Sequence, residues 1–392
     1  MTAQSASRVY FLDYAKAFVT ALVVAQHVAF AYTTYASYYP PNYILSSAPV
    51  IDPTSWFGIN LFEDFNDKFF MSLMFFIAGF FTFKSVQTKG LGKYIWDRVL
   101  RLGIPFAFVA FFMAPASYLP AYRAVGGTAD YINYWFHDFL PLHWLPGPVW
   151  FIWVLLSFSI LGSMLVHFQM DFLIHRAERW AKLRNHPYRL LAGAFFLCGI
   201  VYLSVYAFLT SNGPESWFTL GGPLWCQKNR IQMYFLIFFF GLVLGAGDSF
   251  KKIPKVLEYQ SKVMSSWPKF LILALLSHFV MVYIENGGFS VPLKTWIWVP
   301  LFITTCLCAS LSVLGFFCRN LYRKNRFWDF LARNAYTVYL IHYLIVVWIQ
   351  YAFLDFEWHA AIKFATVTSL SLVASWGLAP LIRRAPLLNR IL

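Results

Sequence analysis

The sequence predicts an all-α, polytopic membrane protein of about ten transmembrane helices with both termini on the cytoplasmic side. Three observations carry that reading. Of 392 residues, 59% are hydrophobic and 12% charged, about half the ~25% charge of a soluble domain, so most of the surface has to face lipid. The apolar residues gather in segments of the ~20-residue length that crosses a bilayer as a helix. And 25 of the 31 lysines and arginines fall at the N-terminus, in alternate connections and in the C-terminal tail, the asymmetry of the positive-inside rule.

Ten spans follow in order, at 11–34, 66–86, 101–122, 147–167, 188–210, 230–248, 268–286, 295–317, 334–354 and 360–382. Asp13 and Lys16 interrupt the first, which therefore reads as a span and not as a cleavable leader. Pro105, Pro115 and Pro120 make the third the least regular, although neighbours in a membrane bundle can satisfy the carbonyls that prolines free. The chain reads as one transmembrane domain over 1–392, without internal repeat, long linker or appended soluble domain.

The basic connections are 84–101 (Lys84, Lys89, Lys93, Arg98, Arg101), 168–189 (Arg176, Arg179, Lys182, Arg184, Arg189), 251–269 (Lys251, Lys252, Lys255, Lys262, Lys269) and 319–333 (Arg319, Arg323, Lys324, Arg326, Arg333). Arg8, Lys16 and the tail residues Arg383, Arg384 and Arg390 complete that side. The net charge of +14 is mostly this topological bias; dispersed among loops, it does not form a nucleic-acid surface. On the other side, 35–65 and 123–146 are rich in Tyr, Trp, Pro and His and carry Asp52, Glu63, Asp64, Asp130 and Asp138. These stretches read as interfacial aromatic anchors, or as a lid over an outward-facing acceptor site. Cys198, Cys226, Cys306, Cys308 and Cys318 form no paired framework, so neither a disulfide nor a zinc site is expected.

Lys16 and His27 are the leading candidates for chemistry. Eleven residues at ~100° each return to nearly the same helix face, with a rise of ~16 Å. One stripe of the first helix thus carries a cation near an interface and an imidazole deep in the span, where ionisable groups default to function. Imidazole titrates near neutrality and is the usual general base. The places three and four residues away hold Val23, Val24, Phe30 and Ala31, so any orienting partner has to come from another helix. Lys16 alone also fits a snorkelling lysine that sets orientation. Arg98 and Arg101 form an R-x-x-R that suits phosphate through forked hydrogen bonds, or serves as topological anchors. Asp97 pairs with one of them or with a neighbouring loop. His342 reads as a packed histidine nearer the cytoplasmic side than His27. Asp13 lies one turn before Lys16. Asp64 and Asp67, near the outer end of span two, either approach His27 or are solvated. His137 and His143 lack metal-ligand spacing.

The segments FLDYAKAFVTALVVAQH, FFMSLMFFIAGFFTF, WDRVLRLGIPF, GPVWFIWVLLSFS and NAYTVYLIH, taken together, resemble the acyltransferase-3 family of integral membrane O-acyltransferases. Lys16 and His27 match its Arg/Lys-x10-His pattern, and Arg98 and Arg101 match its R-x-x-R. The chain departs in lacking the C-terminal SGNH hydrolase-like domain of some members, and so is similar to the stand-alone ones. The resemblance implies cytoplasmic acyl-CoA as donor, acetyl-CoA first and succinyl-CoA second, and a carbohydrate or glycan acceptor at the outer side of a plasma membrane. In that reading Arg98 and Arg101 hold the donor phosphates, Lys16 lies further in, and His27 takes the proton from the acceptor hydroxyl, with direct transfer and a transient acyl-histidine both open. No metal is expected. A secondary transporter with a Lys/His substrate or proton site is the alternative, against which stands the absence of paired, broken-helix repeats. A membrane scaffold would leave Lys16 and His27 without a role.

Overall fold

The computed structural model describes residues 9–40, 42–141, 144–174, 193, 195, 197–199, 202, 217–228, 230–246, 261–287 and 291–385. Among them the apolar segments become long helices: α1 (Tyr10–Ala29), α2 (Phe57–Asp67), α3 (Phe70–Lys89), α4 (Leu91–Ala124), α5 (Trp150–Phe168), α6 (Ile231–Ala246), α7 (Trp267–Asn286), α8 (Val291–Asn320), α9 (Arg326–Ala352) and α10 (Ala360–Ile382). Eight segments are long and apolar enough to cross a membrane, with α2 and α3 counted as one; α6 is a shorter apolar helix. The chain is thus an all-α polytopic membrane protein. The expected span at 188–210 and the basic residues Arg8, Arg176, Arg179, Lys182, Arg184, Arg189, Lys251, Lys252, Lys255 and Arg390 lie wholly or largely outside the described residues. A two-stranded antiparallel ribbon, β1 (Trp217–Thr219) and β2 (Trp225–Gln227), precedes α6.

Helix α4 tolerates Pro105 and Pro115 through backbone geometry, while Pro120 lies inside its last α-helical stretch. Two π-helical turns, Val99–Gly103 and Val109–Met113, precede Pro105 and Pro115, and each proline then opens an α-helical stretch. The wider π turn before each removes the clash that a proline ring makes with an α-helical carbonyl.

Small residues set the closest helix pairing. A Cβ on Gly79 of α3 would collide with the Phe238 carbonyl of α6, and one on Gly241 or Gly245 would collide with the backbone of Phe76 or Phe80. In lipid, association depends on such close backbone approach, because apolar burial by itself does not distinguish a neighbouring helix from an acyl chain.

Helix α1 lies in the middle. It packs on α2, α3, α8, α9 and α10, and thirteen of its twenty residues are buried. Ties at both of its ends set its register. At one end, the Tyr14 hydroxyl donates to Asp329 (3.1 Å) and accepts from the Asn325 N–H (2.9 Å). That end also holds Arg98, Arg101, Arg333 and Arg383, linked by Tyr336 donating to the Arg101 carbonyl and Arg383 donating to the Arg333 carbonyl. At the other end, Gln350 of α9 donates to the carbonyls of His27 (3.3 Å) and Val28 (3.0 Å), two of the acceptors that a helix C-terminus leaves open. There the Asp52 carboxylate, in the connection between α1 and α2, pairs with Lys363 of α10 at 2.7 and 3.0 Å.

Candidate functional site

A cavity of about 790 Å³ opens among the ends of α1, α2, α4, α7 and α9 that lie away from the basic end. His27 is on its wall, half-buried, with Tyr343 edge-on at 5.0 Å between ring centroids, His342 at 5.3 Å and Phe30 at 5.8 Å. Its imidazole makes no hydrogen bond among the described residues, so both ring nitrogens remain available.

The sequence placed His342 nearer the basic side than His27; the structure places the two side by side. Helix α9 begins at Arg326, about two turns before the expected start at 334. His27 is 17 residues beyond Tyr10 and His342 is 16 beyond Arg326, or ~26 and ~24 Å along helices that rise ~1.5 Å per residue. Hydropathy missed that first stretch because RFWDFLAR mixes three charges with large apolar residues.

Part of the outer stretch 35–65 is helix α2 and not loop. Glu63, Asn66 and Asp67, spaced three and four apart, share one of its faces. Glu63 is buried and accepts from Gln26 Nε2 (2.6 Å) and from the Tyr35 hydroxyl (2.5 Å), while Asn66 donates to Gln26 Oε1 (3.0 Å). Gln26, Tyr35, Glu63 and Tyr343 all line the cavity; sequence reasoning named Glu63 only among the acidic residues of the outer stretch, and the other three not at all. Two signals were readable: a glutamine beside His27 in an otherwise apolar run, and the acidic–amide spacing of α2.

Asp64 and Asp67 also line the cavity but are engaged elsewhere than with His27. Asp64 pairs with the buried Lys68 and lies 3.5 Å from His278 Nδ1. Asp67 accepts from the buried Arg230 at 2.5 Å. The Lys68 ammonium and the Arg230 guanidinium both lie against the Phe302 ring, at 5.9 and 5.3 Å. A buried cation needs such a counter-charge.

Lys16, Asp13, Asp97, Arg98 and Arg101 lie toward the basic end. Lys16 forms an ion pair with Asp13 at 2.8 Å, and its ammonium is 5.3 Å from the Phe81 ring. It shares a helix with His27 but is not on the cavity wall. Arg98 stacks at 4.9 Å on Tyr94, whereas Arg101 falls in the π turn and is exposed. Asp97 pairs with Lys89 at 2.6 Å. His137 is in the outer segment Tyr134–Phe139, and His143 lies outside the described residues. No group of His, Cys, Asp and Glu suited to a metal occurs among the described residues.

In the outer segments, away from the spans, burial pushes the phenols of Tyr43 and Tyr134 above their usual range; the second also faces Tyr43. Main-chain and side-chain donation from Asn133 lowers the Asp130 carboxyl, which caps the short turn Tyr131–Asn133.

A family model described as "Acyltransferase domain" matches residues 9–380. Among curated proteins, the chain is 27% identical over 214 residues to a glucans biosynthesis protein C of Salmonella schwarzengrund, covering 52% of this chain and 50% of that one. Over 215 residues it is 27% identical, at the same coverage, to proteins of that name from Salmonella typhi and Salmonella typhimurium. The chain therefore spans about half the length of the curated relatives it matches. No solved structure matches significantly.

Proposed function

Because the chain belongs to the acyltransferase domain family, we propose that it is a multi-pass plasma-membrane O-acyltransferase. It moves an acyl group from cytoplasmic acyl-CoA to a hydroxyl of a carbohydrate or glycan-like acceptor, the acceptor class that its glucans-biosynthesis relatives suggest. The observation that carries the reading is the His27 imidazole, unbonded among the described residues on the wall of a cavity that opens away from the basic end. Donor and acceptor thus have separate approaches. The phosphates of acyl-CoA suit Arg98 and Arg101, with Lys16 further along α1, and the ~16 Å from Lys16 to His27 suits an extended pantetheine arm.

At His27, the unprotonated ring nitrogen takes the proton of the acceptor hydroxyl as its oxygen attacks the thioester carbonyl. The carbon–sulfur bond breaks, the ester forms, and the coenzyme A thiolate leaves with the proton that His27 returns. General-base assistance is worth roughly 10²–10⁴-fold. Acetyl is the favoured acyl group. The cations beside the acidic wall of the cavity, Lys68 and Arg230, are already paired with Asp64 and Asp67, so a succinyl carboxylate would meet no uncommitted cation among the described residues.

The test is coenzyme A release from acetyl-CoA by the purified protein with a glucan oligosaccharide present. Replacing His27 with Ala should lower release by roughly 10²–10⁴-fold, the share of a general base, while leaving acetyl-CoA binding intact. Full activity in a folded His27→Ala protein would overturn the assignment.

A further inference from the structure

Resting on the reading of His27 as the base, we infer that His342 is its positioning residue, with the His342 Nε2 lone pair accepting a hydrogen bond from the His27 ring and so fixing which His27 nitrogen faces the acceptor. The side chain of His342 is fully buried, and its Nδ1 lies 2.7 Å from the Tyr339 carbonyl oxygen. A carbonyl only accepts, so that contact requires the proton on Nδ1 and leaves Nε2 as a bare acceptor. Among the described residues Nε2 has no hydrogen-bond partner, and it has no contact with solvent. An orphaned polar atom in a protein interior is costly and calls for a cause.

The neighbouring ring is that of His27, 5.3 Å away between centroids and tilted by 39°, a separation at which a modest ring rotation brings two imidazole nitrogens into contact. Catalytic hydrogen bonds are often long before substrate binds and tighten afterwards. The Gln350 bonds to the His27 and Val28 carbonyls hold the two helices in the register this needs. His27 lacks a carboxylate on its own helix within one turn, so His342 supplies the orienting acceptor that a carboxylate supplies in other imidazole bases.

Two substitutions separate this role from a structural one. In His342→Asn the amide can replace Nδ1 as donor to the Tyr339 carbonyl, and the Nε2 acceptor is lost. In His342→Gln an acceptor returns near Nε2, and the Nδ1 bond is lost. Positioning predicts that Asn lowers kcat about 10–100-fold, within the contribution of a general base, with acetyl-CoA KM unchanged, and that Gln restores much of kcat even where its thermal stability falls. In a His27→Ala background, His342→Asn should cost nothing further. The inference is overturned if Asn is active and Gln is not, if kcat survives both, or if the loss from Asn persists at full size in the His27→Ala background. If a variant does not fold, the other still decides through its kcat. A His27→Ala protein with full activity would instead overturn the assignment of the base.

Discussion

Replacing Lys363 with Met should destabilise the protein by about 3 kcal/mol. The Lys363 ammonium lies 2.7 and 3.0 Å from the two oxygens of Asp52 and 3.3 Å from the Leu354 carbonyl. The side-chain exposures of the pair are 0% and 1%. Breaking a buried ion pair by deleting one member costs about 3–5 kcal/mol, because the survivor keeps its desolvation penalty without its counter-charge. Asp52 is not wholly stranded: it still accepts from the N–H (2.9 Å) and hydroxyl (2.6 Å) of Thr54, which places the loss at the lower end. Equilibrium unfolding in mixed detergent micelles gives the number. The double substitution Asp52→Asn with Lys363→Met removes both charges and should recover most of the loss. The connection that carries Asp52 also carries Ile44–Pro49 on the cavity wall, so limited proteolysis there should accelerate in the single variant and not in the double. A Lys363→Met protein within about 1 kcal/mol of the parent, or a double variant no better than the single, would refute the reasoning.

Gly241→Val should weaken the pairing of α3 and α6, since its Cβ would meet the Phe76 carbonyl. Overpacking of this kind costs about 1–3 kcal/mol or more, and a Gly241→Val protein as stable as the parent would show that the two helices can separate freely. Arg98→Ala with Arg101→Ala should raise the acetyl-CoA KM by at least tenfold and leave kcat at saturation within about threefold, consistent with lost uniform binding; steady-state kinetics against donor concentration measures both. Burial pushes the Cys226 thiol up to about 11, so almost none of it is thiolate at pH 8. Iodoacetamide should leave Cys226 unmodified in the folded protein and label it on denaturation, as peptide mass spectrometry would reveal. Rapid labelling of the folded protein would contradict the buried placement of β2.

Much of the architecture was legible from composition and spacing. Apolar runs of membrane-spanning length at 66–86, 147–167, 268–286 and 360–382 correspond to helices that end within a few residues of those limits, apart from α3, whose helix runs on with α2 before it. Lipid imposes one rule on every span, that backbone polar groups bond within the segment, and a local sequence is enough to apply it. Boundaries failed where charge and apolar surface mix, at the start of α9 and in α2, because hydropathy cannot distinguish a charged residue in a loop from one on a helix face that meets another helix.

His27 stood out on its own, because an imidazole in an apolar run is expensive wherever it points. Its surroundings did not. His342 is 315 residues away in sequence, and the two rings meet because α1 and α9 both start at the basic end and rise nearly equal distances. Glu63 is beside the cavity through bonds from Tyr35 and Gln26, and Asp64 and Asp67 are drawn off by Lys68 and Arg230. The sequence by itself determined the membrane class, most of the spans, the charge bias of the connections and the residue types able to do chemistry, since each depends on local transfer energy and helical repeat. Only the tertiary structure decided which of those residues share a cavity, because that depends on helix register and on the choice of counter-charge, and both are settled by contacts between segments far apart in the chain.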